Sequence, residues 1–179
     1  MEIAVDMYRN AADGRSASAQ FVPGVFYEFG DLGLDEDEKT ALEMYRSAAG
    51  GGNSSAQFYL GLAYDLGDLG LEKDEKTALE MHRSAADGGD QDAHFSLGVA
   101  YGKGQLGLEK DDKAALGMYR KAADGGNASA QFVLGEAYEF GDLGLDEDEE
   151  IAFEMYRSAA DGGDQDAQCK ISEAYQLGK

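Results

Sequence analysis

The chain has 179 residues, with 36 acids against 15 bases, a net charge of −21 and a single Cys. One Cys excludes an internal disulfide, no apolar run reaches the roughly 18 residues of a membrane span, and so acidic a chain lacks the excess of Lys and Arg on which phosphate binding depends. The 25 glycines would break most elements of an ordinary domain unless they recur at defined sites.

They do recur. The string MYRNAADG begins at Met7, and near copies begin at Met44, Met81, Met118 and Met155, each 37 residues after the last. A second string keeps step: AQFVPGVFYEFG from Ala19, with copies from Ala56, Ala93, Ala130 and Ala167. Residues 17–51 and 128–162 agree at 28 of 35 positions. Such self-similarity marks a repeat array. Of the glycines, 23 fall at three repeat sites: after the A-A segment, in a G-x-x-G loop, and at one helical position held by Gly24, Gly61, Gly98 and Gly135.

Taken in chain order, the first predicted element is a helix at about 2–13, of the kind termed helix B below. Helix A of the next copy starts near Ser18, and Pro23 inside it predicts a kink or a delayed start, because proline removes a backbone donor. In the following copy, helix A runs from about Ser54 to Leu66, with Ala56, Leu60, Ala63 and Tyr64 at helical spacing and Asn53, Ser54 or Ser55 as its cap. The segment GDLGLEKD then turns the chain, with Leu71 as the expected buried plug. Helix B follows from about Asp74 to Asp87, with Ala78, Met81, His82 and Ala85 on one face. The same pair repeats to the last helix A. Acids crowd the start of every later helix B and Arg46, Arg83, Arg120 and Arg157 sit near its other end, as the helix dipole favours. Neither amphipathic helix can bury its face alone, so stacked pairs must share a continuous core. The small Gly61-type site lets helix B approach closely. The prediction is an all-α solenoid of helix-turn-helix repeats over residues 1–179, with about ten antiparallel helices and open ends.

The pattern A-Q-F-x-L-G-x-A-Y-x-x-G, then G-L-x-x-D-x-x-x-A-L-x-M-Y-R-x-A-A-D-G, resembles the Sel1-like repeat, a branch of the tetratricopeptide-like α-solenoids. Met7, Met44, Met81, Met118 and Met155 stand where that family usually has Trp, and the G-D-L-G-L loop is one residue longer than the commonest form. The last copy has Cys169, Ile171 and Ser172 for Phe, Leu and Gly. The resemblance implies a right-handed superhelix that scaffolds protein complexes through side chains of helix A on its concave face. Aligning L-G-x-x-Y assigns three rows to that face: Phe21, Phe58, Phe95, Phe132 and Cys169; Val25, Leu62, Val99, Glu136 and Glu173; and Phe29, Leu66, Lys103, Phe140 and Leu177. Such rows beside acids suit an amphipathic helix or extended peptide carrying Lys or Arg. The Phe row equally suits an inter-repeat core, since an apolar stripe at helical spacing is usually buried.

Other motifs point away from chemistry. Gly102 to Gly107 spell G-K-G-Q-L-G, but a helix precedes them where a dinucleotide site needs a strand. The runs Asp35–Glu38 and Asp146–Glu150 lack the spaced ligands of a calcium loop and read as solvated helix starts. His82 and His94 each replace a repeat residue once, with no partner at metal-ligand spacing. Cys169 has no neighbouring base in sequence. The sequons at Asn53 and Asn127 fall where a helix cap wants Asn anyway. The reading is a non-enzymatic scaffold or adaptor without cofactor or metal, whose partner is a basic or amphipathic protein segment rather than nucleic acid or membrane. The alternative is an architectural subunit docking through its ends and convex face. Ile3 and Val5 at one end, and Ile171 and Tyr175 at the other, are the candidate end contacts, or mark joins to a longer array. Without a visible signal or membrane segment, the cytoplasm is the default compartment.

Overall fold

The computed structural model describes residues 17–31 and 35–176; the expected helix at about 2–13, with Ile3 and Val5, and also Leu177, lie outside them. Nine α-helices and no strand are found among the described residues. They are α1 Ala17–Phe29, α2 Glu38–Gly50, α3 Ser54–Leu66, α4 Glu75–Asp87, α5 Gln91–Lys103, α6 Asp112–Asp124, α7 Ala128–Phe140, α8 Glu149–Asp161 and α9 Gln165–Gln176. Odd-numbered helices are of type A and even-numbered ones of type B. The chain divides into two compact units, Met1–Asp90 and Gln91–Lys179.

Local chemistry sets the ends of these helices. Asp37, Asp74, Asp111 and Asp148 each precede a helix B and accept from its first-turn amides, as Asp74 does from Thr77 at 3.1 Å and Asp111 from Ala114 at 2.9 Å. Each such Asp donates its own N–H to a tyrosine carbonyl of the preceding helix A, Asp74 to Tyr64 and Asp148 to Tyr138 at 2.8 Å. The repeated acid is thus an N-cap and a clamp on the turn. Hydrogen bonding by Thr40 and Thr77 holds the Asp37 and Asp74 carboxyls below their ordinary values. Asn53 and Asn127 cap helices of type A, accepting from Ala56 and Ala130 at 2.8 Å, so the two sequon asparagines belong to the capping scheme.

The loop after helix A departs from expectation. Leu69 and Leu106 are the buried plugs, whereas Leu71 is half-buried against the core of the first unit. Leu69, Leu106 and Leu143 all have φ of 55°, a left-handed conformation that branched side chains rarely adopt. Gly67 and Gly70 flank Leu69 with φ of 78° and 71°. Three left-handed residues in four reverse the chain tightly enough to aim the first leucine inward. Strain of about 1–3 kcal/mol is offset by burying a leucine, worth about 1.5–3 kcal/mol.

Pro23 is buried, and α1 runs continuously through it from Ala17, so the expected delay in helix start does not occur. Packing on α2 overrides the missing donor. Helix pairs α1–α2 and α3–α4 in the first unit, and α5–α6 and α7–α8 in the second, pack most extensively; α2–α3, α6–α7 and α8–α9 add the links between pairs. Each pair closes on one contact. The helical glycine of type A faces an aromatic ring of type B: Gly24 on Tyr45, Gly61 on His82, Gly98 on Tyr119 and Gly135 on Tyr156. A Cβ at any of these glycines would lie 2.7–2.8 Å from ring atoms, inside the 3.5–4.0 Å of normal carbon contact. Glycine here sets the distance between helices.

Candidate protein-interaction surface

With the aromatic ring of helix B seated in the glycine slot, the helix A side chains divide by depth. The Phe row is half-buried and packs on that ring: Phe21 centroids lie 5.8 Å from Tyr45, Phe58 5.5 Å from His82, Phe95 5.8 Å from Tyr119 and Phe132 5.5 Å from Tyr156. Cys169, in the same register, is exposed. Val25, Leu62 and Val99 are half-buried, with Val25 and Val99 against the cores. Glu136 shares their row; burial raises its carboxyl above the ordinary value, opposed by the charge of Lys170. Glu173 is exposed.

The third row behaves differently. Phe29, Leu66 and Phe140 are 57%, 68% and 58% exposed, and Lys103 is exposed at the corresponding place. They are the last residues of α1, α3, α7 and α5, each followed by a left-handed glycine. Tyr175 is also exposed, with its ring 6.2 Å from Phe153, whereas Ile171 is half-buried.

Beside this row lie groups that sequence motifs do not single out. The Tyr45 hydroxyl donates to Glu28 and that of Tyr156 to Glu139, both at 2.5 Å; burial first and the carboxylate second push both phenols well above their usual range. Lys170 donates to the same Glu139 oxygen at 2.7 Å, its ammonium 5.5 Å and 5.3 Å from the ring centres of Phe140 and Tyr156. A signal is present in the sequence, since Glu and Tyr recur 17 residues apart in two copies, but no motif couples them. A cleft of about 630 Å³ opens beside Lys170 between α8 and α9, lined in part by Phe153, Glu149, Glu150 and Glu173.

His82 takes the Tyr place in its slot. It is 1% exposed, its Nδ1 has no hydrogen-bond partner among the described residues, and burial lowers its pKa against the opposing charges of Asp65 and Asp90. Among the described residues no three His, Cys, Asp or Glu side chains are grouped to hold a metal, and no helix is long and apolar enough to cross a membrane. Gly102 and Lys103 end α5, and Gly104 and Gly107 are left-handed turn residues, so the G-x-G-x-x-G string is a helix end and its turn.

Capped helix pairs on a 37-residue period, closed by a glycine slot, define an α-helical repeat array. Four copies of the Sel1 repeat match the chain, at residues 17–53, 54–90, 91–127 and 128–164, and the chain belongs to that family. It is similar in structure to a Sel1 repeat protein from Oxalobacter formigenes, with 33% identity, a TM-score of 0.84, and coverage of 99% of this chain and 69% of that one. It is also similar to c5321, a protective antigen of uropathogenic Escherichia coli strains displaying an SLR fold, with 30% identity, a TM-score of 0.81, and coverage of 97% and 36%. The chain thus spans about two thirds of the first relative and about one third of the second. The immunity protein Pa5087 from Pseudomonas aeruginosa shares the fold at 21% identity, with a TM-score of 0.66 and coverage of 91% and 59%. Among curated proteins, none matches significantly. Sel1 repeats are generally protein–protein interaction scaffolds and typically non-catalytic, so protein partners follow from the family.

Proposed function

We propose that this chain is a non-enzymatic adaptor that holds a peptide or helix of a partner protein on the face lined by helix A, the concave side in this class of solenoid. One observation carries the reading: among the described residues, three of the four exposed large hydrophobic side chains occupy a single repeat position, Phe29, Leu66 and Phe140. Scattered exposed apolar residues need no explanation, but the same exposure repeated in register is what a docking surface requires. The Phe row behind it, Phe58, Phe95 and Phe132, packs on the helix B rings and serves as its support. Leu62 extends the surface in the first unit, and Val99 and Lys103 do so in the second. With a net charge of −21, the preferred partner segment is basic or amphipathic. A second reading, docking through the end of the array, is favoured by the exposed Tyr175 and the cleft beside it.

Photo-crosslinking separates the two. A benzoylphenylalanine replacing Leu66 or Phe140 should capture partner protein from a lysate, and mass spectrometry should place the captured peptide against helix A. Crosslinks formed only from Tyr175 would overturn the helix A reading and leave the end-docking one.

A further inference from the structure

The first and fourth repeats carry the same three side chains at corresponding places, but among the described residues only one set has a cation. In the fourth, Glu139 accepts from the Tyr156 hydroxyl and from Lys170, whose ammonium also lies over Phe140. In the first, Glu28 accepts from the Tyr45 hydroxyl at the same 2.5 Å and Phe29 is similarly exposed. The residue in register with Lys170 is here Tyr59, its ring tilted against that of Tyr45 with centroids 5.4 Å apart. No Lys or Arg among the described residues pairs with Glu28. Its carboxylate, already accepting from the Tyr45 hydroxyl as Glu139 does from Tyr156, and the open face of Phe29 therefore offer what Glu139 and Phe140 offer to Lys170.

We infer that Glu28 and Phe29 form a receptor for a lysine side chain on a partner protein segment, with Lys170 acting at the fourth repeat as the built-in counterpart of that lysine. The inference rests on the reading of helix A as the docking face and gives it a chemistry. A carboxylate supplies a charge-assisted hydrogen bond, and an exposed ring supplies a cation–π face that tolerates an ammonium and an aliphatic stem together. The occupant follows from charge: a site holding an unmatched acid on a strongly acidic chain selects a cation, and Lys170 shows an ammonium fitting this arrangement.

The test uses a fluorescein-labelled amphipathic helical peptide of leucine and lysine, and the same peptide with every lysine acetylated. Anisotropy should show the acetylated peptide binding the full chain at least roughly tenfold more weakly, and Glu28→Gln and Phe29→Ala each weakening the lysine peptide roughly five- to tenfold. Glu28→Gln keeps an acceptor for the Tyr45 hydroxyl, so its fold is preserved. Glu43→Gln, an equally charge-removing change on the exposed side of α2, should have little effect. Lys170→Met should create a second site, seen as new aromatic NMR shifts at Phe140 beside those at Phe29. Equal losses for Glu28→Gln and Glu43→Gln would reduce the binding to bulk charge and overturn the receptor. Binding with shifts at Leu62 and Leu66 but none at Phe29 would also overturn it, while leaving helix A as the docking face. Failure of the peptide to bind at all refutes the lysine receptor, and the crosslinking experiment above still decides the wider reading.

Discussion

Gly135→Ala measures how closely the repeat packs. The added Cβ would sit 2.7 Å from Cδ1 and Cε1 of Tyr156, so the ring must retreat by about 1 Å to reach normal carbon contact. It has little room to do so, because Tyr156 is buried and its hydroxyl is held by Glu139 at 2.5 Å. Overpacking of this kind costs about 1–3 kcal/mol, and alanine's better helix propensity returns about 1 kcal/mol. The net expectation is a loss of about 0–2 kcal/mol. Gly117 is the internal control, since it lies inside α6 and a Cβ added there would meet nothing within 4 Å. Gly117→Ala should gain about 0.5–1 kcal/mol from propensity alone. Gly98→Ala should fall between them, because Gly102 stands where Glu139 does in the next copy and no carboxylate anchors the Tyr119 ring. Urea denaturation followed by far-UV circular dichroism reads all three. A Gly135→Ala chain that gains as much stability as the Gly117→Ala chain would refute the close-packed slot.

Pro23→Leu should stabilise the first unit by about 2–3 kcal/mol in the same assay, since proline inside a helix costs about 3 kcal/mol and the equivalent Leu60 and Leu134 are buried; no gain would mean that α1 has adapted to proline. Asn127→Ala should cost about 1 kcal/mol by leaving the Ala130 N–H without its acceptor and breaking the Asn127–Asp92 bond of 2.7 Å. His82 is held neutral by burial, its pKa below the 6.5 of an unfolded histidine. The unfolded chain therefore binds more protons as pH drops through 6.5, and stability should decline there. His82→Tyr, the residue of the neighbouring slots, should remove that component of the pH–stability curve, and an unchanged curve would show that other groups cause it.

How much of this was legible in the sequence depends on whether the repeat exposes the cause. Helix boundaries near Ser54–Leu66 and Asp74–Asp87 were readable because caps and glycines recur in register, and the structure places them at Ser54–Leu66 and Glu75–Asp87 with Asp74 as cap. The close approach at Gly61 was readable too, since a small residue repeated on a helix face calls for a neighbour. The loop plug was misjudged. Sequence rules assign left-handed backbone to Gly67 and Gly70 and withhold it from Leu69, yet Leu69 adopts it, and that turn of the backbone buries Leu69 more deeply than Leu71. The division of helix A into a supporting row and an exposed row was not legible either. Phe21 and Phe29 are both apolar at helical spacing, and the rings of Tyr45 and Tyr59 beside Phe21 separate their roles.

That division also explains which residues the copies share and which they vary. Asp37, Asp74, Asp111 and Asp148 are the same residue in four copies, as are Gly24, Gly61, Gly98 and Gly135, with Ser172 taking the glycine position only in the last copy. Each sets a cap or an interhelical distance, so a change there is felt by the repeat's own packing. At the end of helix A the copies diverge: Glu28, Asp65, Gly102 and Glu139 in one position, and Phe29, Leu66, Lys103 and Phe140 in the next. All four members of the second set are exposed, so they change with little consequence for the core. Charge, size and aromaticity all vary at that pair of positions while the backbone around it stays constant. A repeat scaffold that distinguishes partners needs such a place, where chemistry changes from copy to copy and geometry does not. On the proposed docking face the two positions closing helix A are that place, acidic and aromatic in the first and fourth copies and different in the second and third.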